Sequence, residues 1–412
     1  MQLAHELVRL QEENDRIERE IKAAVAMRGL AGRPLPLAGF EVGENRVAVL
    51  LGQAAYDPTN FSQGVRALQV TGNRIHIVIN GSWDVSQADA LAVDIYPHAA
   101  PSLLTSLVIK FFAGEGKRKG FSSGEIKARI RVDRQWQTVA VRKSDFLAFG
   151  GATVNDWAAI QGCEVTATGD ARGLSLDDLR GVRYGTKRGK VIVRFDDGFQ
   201  SVYAVALPYM ARKGLVGFAS VIVGNIGKII EGRLHMTVEQ IRALQSQGWD
   251  ISSHTMSHPS LPNLDGNPAL LEYEIGASYR WLRHHGFAQG AQFFVFPGHQ
   301  VSAMSYQKAR DYHTLAYGGA DCIDTFPPLG RWTMHSTICE NRTAAQIQAL
   351  IDDCANHGGL LTITFHDLVP VVTRDDQVTI ETFQAVIDHL VRADVDVITL
   401  TDLAQSSPLA AR

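Results

Sequence analysis

The stretch VIVRFDDGF at 191 to 199 runs an apolar, strand-type segment directly into two adjacent carboxylates, Asp196 and Asp197. Apolar strands alternate with helical patterns from about 187 onward: VIVRF, VYAVALPYMARKG, FASVIVG, TVEQIRALQSQG, WDISS, and finally VDVITL near the C-terminus. Strand-helix repetition with fully apolar strands implies a parallel sheet covered on both faces, and some seven repeats predict a closed (β/α) barrel. In such a barrel, chemistry gathers at the carboxyl ends of the strands. Asp196, Asp197, His254, Pro297 and His366 all fall at predicted strand ends.

Two further segments supply the partners. SSHTMSH at 252 to 258 carries His254 and His258 four residues apart, and LLTITFHDL at 360 to 368 delivers His366 off another apolar strand. Asp197, His254 and His258 are ligand types suited to one catalytic zinc, with cobalt or nickel able to bind in the same place. Asp196 and His366 are then left for proton transfer. Each motif has a plain alternative, since Asp-Gly after a strand is a common turn and paired histidines occur on surfaces. Their joint occurrence at strand ends of one barrel is what gives them weight.

These residues resemble the polysaccharide deacetylase family, whose barrel is the chitooligosaccharide-deacetylase homology domain, a distorted (β/α) barrel. Its first motif, Thr-Phe-Asp-Asp-Gly, is matched by Arg194 to Gly198; its second, His-Ser/Thr-x-x-His, by His254, Thr255 and His258; its last by ITFHD. The resemblance covers about 190 to 403. It implies Asp196 as general base, Asp197, His254 and His258 as metal ligands, and His366 as the acid protonating the leaving group.

The third motif, usually Arg-x-Pro-Tyr, reads FFVFPGHQ here, so Pro297 matches while Val295 and Gly298 stand at the arginine and tyrosine positions. Gly298 can still donate a backbone N–H to an oxyanion. Arg331 in PPLGRWTMHS is the candidate substitute for the arginine that steadies the base. His299 and His335 are further pocket candidates, with rim or packing roles as the alternative. The fourth motif is not placed; Trp332 is its nearest candidate.

Ahead of the barrel, evenly spaced short strands predict an all-β sandwich over 37–184: RVAVLL, RALQVTG, RIHIVING, ALAVDIYP, SLVIKFF, EIKARIRV, QTVAVRK and CEVTATG. Its last part, about 100 to 184, resembles jelly-roll carbohydrate-binding modules. Trp83, Trp136 and Trp157 are candidates for stacking on sugar rings, with core packing as the alternative. At the N-terminus, Leu3, Leu7, Leu10, Asn14, Ile17, Ile21 and Ala24 form a heptad seam. It predicts a short helix over 1–30, either a parallel oligomerising coil, trimer favoured over dimer, or one amphipathic helix packed on its own domain. The barrel domain is expected over 187–406.

With 412 residues, 40 basic and 43 acidic, the chain is long enough for two or more domains, and its net charge of -3 gives no electrostatic reason for a nucleic-acid or membrane partner. The charged N-terminal twenty residues lack the apolar run of a signal peptide, so the location is open between cytoplasm and export by another route. Cys163, Cys322, Cys339 and Cys354 show no CxxC spacing.

The resemblance makes an acetylated polysaccharide or oligosaccharide the expected substrate, N-acetyl favoured over O-acetyl. Two other functions stay open: a carbohydrate-binding or adhesive component of a phage tail or cell envelope with an inactive barrel, and hydrolysis of a small cyclic amide.

Overall fold

The structure is a computed structural model that describes residues 35–40 and 47–405. The heptad segment at 1–30 lies outside the described residues. The chain divides into two compact units between Gly185 and Thr186.

Among the described residues the N-terminal unit contains ten strands: β1 (Leu35–Ala38), β2 (Val47–Asp57), β3 (Ala67–Trp83), β4 (Ala90–Pro97), β5 (Ser106–Ala113), β6 (Lys119–Ser122), β7 (Gln137–Arg142), β8 (Leu147–Phe149), β9 (Ile160–Thr168) and β10 (Leu174–Val182). They form one antiparallel sheet in the order β7-β4-β10-β3-β9-β5-β6-β8, with β1 on β10 and β2 on β3. The long β3 folds this sheet over. Its start pairs with β10 and its remainder with β9. Leu91, Val93, Val139 and Leu176 from one half then share a core with Ile109, Phe111 and Val165 from the other.

The β-rich expectation therefore holds as one continuous sheet rather than the two separate sheets of a jelly roll. EIKARIRV is not a strand. Ile126 and Ile130, four apart, are buried around a 3-10 turn at Lys127–Arg129. The Gln137 side chain accepts the amides of Arg131 and Val132, taking the place of a neighbouring strand.

In the second unit seven parallel strands close into a barrel: β11 (Gly189–Phe195), β12 (Phe218–Val221), β13 (Asp250–Ser253), β14 (Phe293–Val295), β15 (Leu315–Ala320), β16 (Met334–Ile338) and β17 (Leu360–Phe365). Arg194 pairs with Phe218 to shut the ring. An eighth strand, β18 (Val395–Val397), pairs parallel with the start of β11.

Alternation along β11 sends Val191, Val193 and Phe195 outward into the core beneath the helices. Ile192 points inward with Phe218, Phe293, Val295, Leu315, Met334 and Leu360, and Leu400 and Leu403 pack against this inner cluster. Thr237, Ser302, Thr343 and Thr379 cap four of the surrounding helices, each side chain accepting an amide of the first turn. No helix among the described residues is long and apolar enough to cross a membrane.

Candidate metal and acid-base centre

Asp197 leaves β11 in a left-handed backbone conformation, φ 68°, followed by Gly198 at φ 80°. A Cβ on Gly198 would meet Val221 Cγ1 at 3.2 Å, so this sharp exit needs glycine. His254 follows β13 directly, and Thr255 (φ 69°) and His258 (φ 63°) turn the chain so that both imidazoles face Asp197. His254 Nε2 lies 3.5 Å and His258 Nε2 3.6 Å from Asp197 Oδ1.

Those separations are too long for good hydrogen bonds and close to the ~3.4 Å between neighbouring ligand atoms expected from zinc bond lengths in a tetrahedral site. Asp197 Oδ1 is buried with no hydrogen-bond partner among the described residues. A buried carboxylate oxygen left this way is costly unless a cation meets it. The donor set thus fits one divalent ion.

The surroundings prepare the ligands. His254 Nδ1–H donates to the Val295 carbonyl at 2.8 Å, which leaves the Nε2 lone pair facing Asp197. Burial pushes the His254 pKa down to about 4, so the ring is neutral and able to ligate. Thr255 Oγ1 accepts the His258 amide. Glu274 Oε2 accepts the amides of Met256 and Ser257, and Oε1 accepts the Ser257 hydroxyl. His235 Nδ1–H donates to the Asp197 carbonyl. These bonds hold backbone conformations that each cost about 1–3 kcal/mol.

Asp196 is buried beside this group. Arg194 Nη2 donates to its Oδ2 at 2.9 Å, and the Ser220 hydroxyl donates to Oδ1. Burial alone would raise the Asp196 pKa, but the Arg194 charge, reinforced by His254, His366 and Ser220, holds it far below the usual range. Arg194 is 0 % exposed, with its guanidinium 4.7 Å from the Tyr317 ring centroid. Its Nη2 also lies 3.2 Å from His299 Nε2. Arginine only donates, so His299 accepts there and is neutral at that nitrogen.

His366 Nε2 is 4.0 Å from Asp196 Oδ2. Glu340 Oε1 accepts both the His366 amide, at 2.9 Å, and Nδ1–H, at 3.0 Å. Burial would lower the His366 pKa, yet the hydrogen bond and charge of Glu340, with Asp197 and Asp196 nearby, push it up to about 9. The raised pKa makes stability that is fully present below the usual 6.5 and lost as pH rises through about 9.

Glu340→Gln is therefore expected to move the alkaline limb of any His366-dependent rate downward. A cation on Asp197 cancels that carboxylate's part, placing the parent limb between 6.5 and about 9. A pH-rate profile of the two proteins checks this; an unmoved limb refutes it.

Other expectations need correction. The cation paired with Asp196 is Arg194, not Arg331, whose guanidinium packs on the Trp332 ring. Trp332 is buried between Arg310 and Arg331 and takes no part in the cluster. His335 donates Nδ1–H to Asp324 at 2.7 Å, a hydrogen bond and not a metal spacing, although Cys322 lies close to both. Pro297 opens the short turn after β14, and Gly298 is exposed within it at φ 57°.

Sequence reasoning missed Arg194, Ser220, Glu274 and Glu340. Arg194 was discoverable, because residues i and i+2 of a strand share a face. Glu340 likewise follows the end of β16.

The polysaccharide deacetylase family profile matches residues 183–315. That segment is similar to polysaccharide deacetylase domains. The chain is 34% identical over 107 residues to YxkH of Bacillus subtilis (strain 168), a protein assigned by name to the polysaccharide deacetylases; the match covers 26% of this chain and 36% of the relative. The chain thus spans about a third of that relative's length.

Among solved structures, the peptidoglycan deacetylase PdaC of Bacillus subtilis is 14% identical with TM-score 0.38, covering 53% of this chain and 91% of that one. The family 4 acetyl xylan esterase of Clostridium thermocellum, solved with a cobalt ion, is 17% identical with TM-score 0.37, covering 54% and 96%.

Proposed function

We propose that the deacetylase barrel hydrolyses acetyl groups from a polysaccharide, N-acetyl in preference to O-acetyl. The carrying observation is the orphaned Asp197 Oδ1 facing two imidazole nitrogens, with Asp196 and His366 4.0 Å apart beside it. Asp197, His254 and His258 would hold zinc, with cobalt or nickel as substitutes. When bound, the cation supplies Lewis acidity at the acetyl carbonyl and lowers the pKa of water.

Asp196, kept ionised by Arg194, takes a proton from the attacking water. His366, kept protonated by Glu340, gives one to the departing amine or hydroxyl. The Gly298 N–H, next to Pro297, faces the developing oxyanion. Arg194, paired with Asp196 at 2.9 Å, also supports this reading over an inactive adhesive barrel. The N-terminal unit, 37–184, is assigned here to carbohydrate binding and the 1–30 heptads to homo-oligomerisation.

Acetate release from N-acetylated chitooligosaccharides and acetylated xylan tests the proposal. Chelation is expected to reduce the rate at least about 100-fold, with recovery on adding zinc or cobalt, and His254→Ala is expected to lower bound metal by elemental analysis. No acetate from either substrate class would refute the activity.

A further inference from the structure

Of the three tryptophans considered for sugar stacking, two are core residues. Trp157 is 3 % exposed and stacks on Phe121 with centroids 3.7 Å apart, and Trp83 is 7 % exposed. Trp136 differs. It is half-buried just before β7, and its ring sits 5.5 Å from Tyr96 at 56°. Tyr96 in turn lies 5.0 Å from His98 at 57°.

Strand register explains the alignment. Ile95 pairs with Gln137, placing Trp136 next to Tyr96; Tyr96 pairs with Ser175, and Ser175 with Gln69. Their neighbours Ile95, Leu174, Leu176, Leu68 and Val70 all enter the core. Alternation therefore turns Tyr96, Ser175 and Gln69 away from that core, where Tyr96 and Gln69 are half-buried and Ser175 lies fully buried beneath them. His98 Nε2 sits 2.9 Å from the Ser175 hydroxyl and 3.5 Å from the Gln69 amide. The Trp136 indole N–H donates to Asn60 Oδ1 at 2.9 Å, and Asn60 is itself held by Asp57.

We infer that this row is a glycan-binding site for a pyranose chain. The partly buried Trp136 and Tyr96 rings supply the aromatic surface for the C–H faces of the sugars, while Gln69, His98 and Asn60 flank them with donors and acceptors for hydroxyl or acetamido groups. The Asn60 bond fixes the indole in advance, which lowers the ordering cost of binding. Holding the polymer on the same chain as the barrel raises its effective concentration there. The inference rests on the deacetylase proposal only for its choice of glycan.

Affinity electrophoresis of the full chain in gels containing glycol chitin or acetylated xylan tests the site. The parent is expected to be retarded, Trp136→Ala and Tyr96→Ala to bind about tenfold more weakly, and Trp136→Phe to keep most of the retardation. Gln69→Ala, which leaves the rings intact, is expected to weaken binding without changing the thermal midpoint. Equal retardation of all variants, or no retardation of the parent in either gel, would overturn the site. Acetate release by the parent is measured separately, so retardation without acetate sinks the deacetylase proposal and spares this one.

Discussion

Asp196→Asn is expected to lower acetate release by about 10²–10⁴ while leaving metal content at the parent level. In the proposed reaction this carboxylate takes the proton of the attacking water, and the amide keeps its size but not its basicity. Asp197, His254 and His258 retain their mutual spacing in this variant, because none of them hydrogen-bonds to Asp196. Elemental analysis and acetate assay on one preparation separate the two effects. A variant that loses its metal, or keeps more than a tenth of the activity, would show that Asp196 is not the base.

The second large effect is expected at Arg194. Removing one partner of a buried ion pair typically costs about 3–5 kcal/mol, since the remaining charge is left without compensation. Arg194→Met should lower stability by that order in urea unfolding and reduce acetate release about 100-fold near neutral pH. The sign of the pH effect follows from burial. Without the guanidinium the Asp196 pKa rises, so activity returns as pH increases and the acid limb moves upward.

In the parent, the depressed Asp196 pKa contributes stability above the usual 3.8, lost only as pH falls through the folded value. That contribution shrinks in Arg194→Met. Adding Val295→Arg, which returns a guanidinium to the third-motif position, is expected to restore part of the rate. An unshifted acid limb, with activity lost only in proportion to folding, would reduce Arg194 to a structural role.

The site was legible wherever chemistry coincides with a strand end. Asp196, Asp197, His254 and His366 could be named because apolar strands stop just before each of them, and His258 by its spacing of four from His254; a barrel brings strand ends together whatever their separation in the chain. Motif order along the sequence points to Arg331, while strand alternation puts Arg194, two residues upstream, on the same face as Asp196. Glu274 gave no signal, as its work is done by accepting amides of a loop that is not adjacent in sequence. In the N-terminal unit, EIKARIRV matched a strand by alternation, but Ile126 and Ile130 bury at a spacing of four around a turn. The fold-over of β3 depends on which partner each half finds, and alternation within one strand carries no such information.

The bond between Arg194 and Asp196 spans only one intervening residue of β11. Both ends of the pair therefore travel with their own strand, and the turn after β14 touches the pair only through the His299 ring on Arg194. A relative built this way is free to lengthen, shorten or re-sequence the segment after β14 to suit another glycan without disarming its carboxylate. Transplanting the four residues Arg-Phe-Asp-Asp would carry the poised acid-base partner along with them.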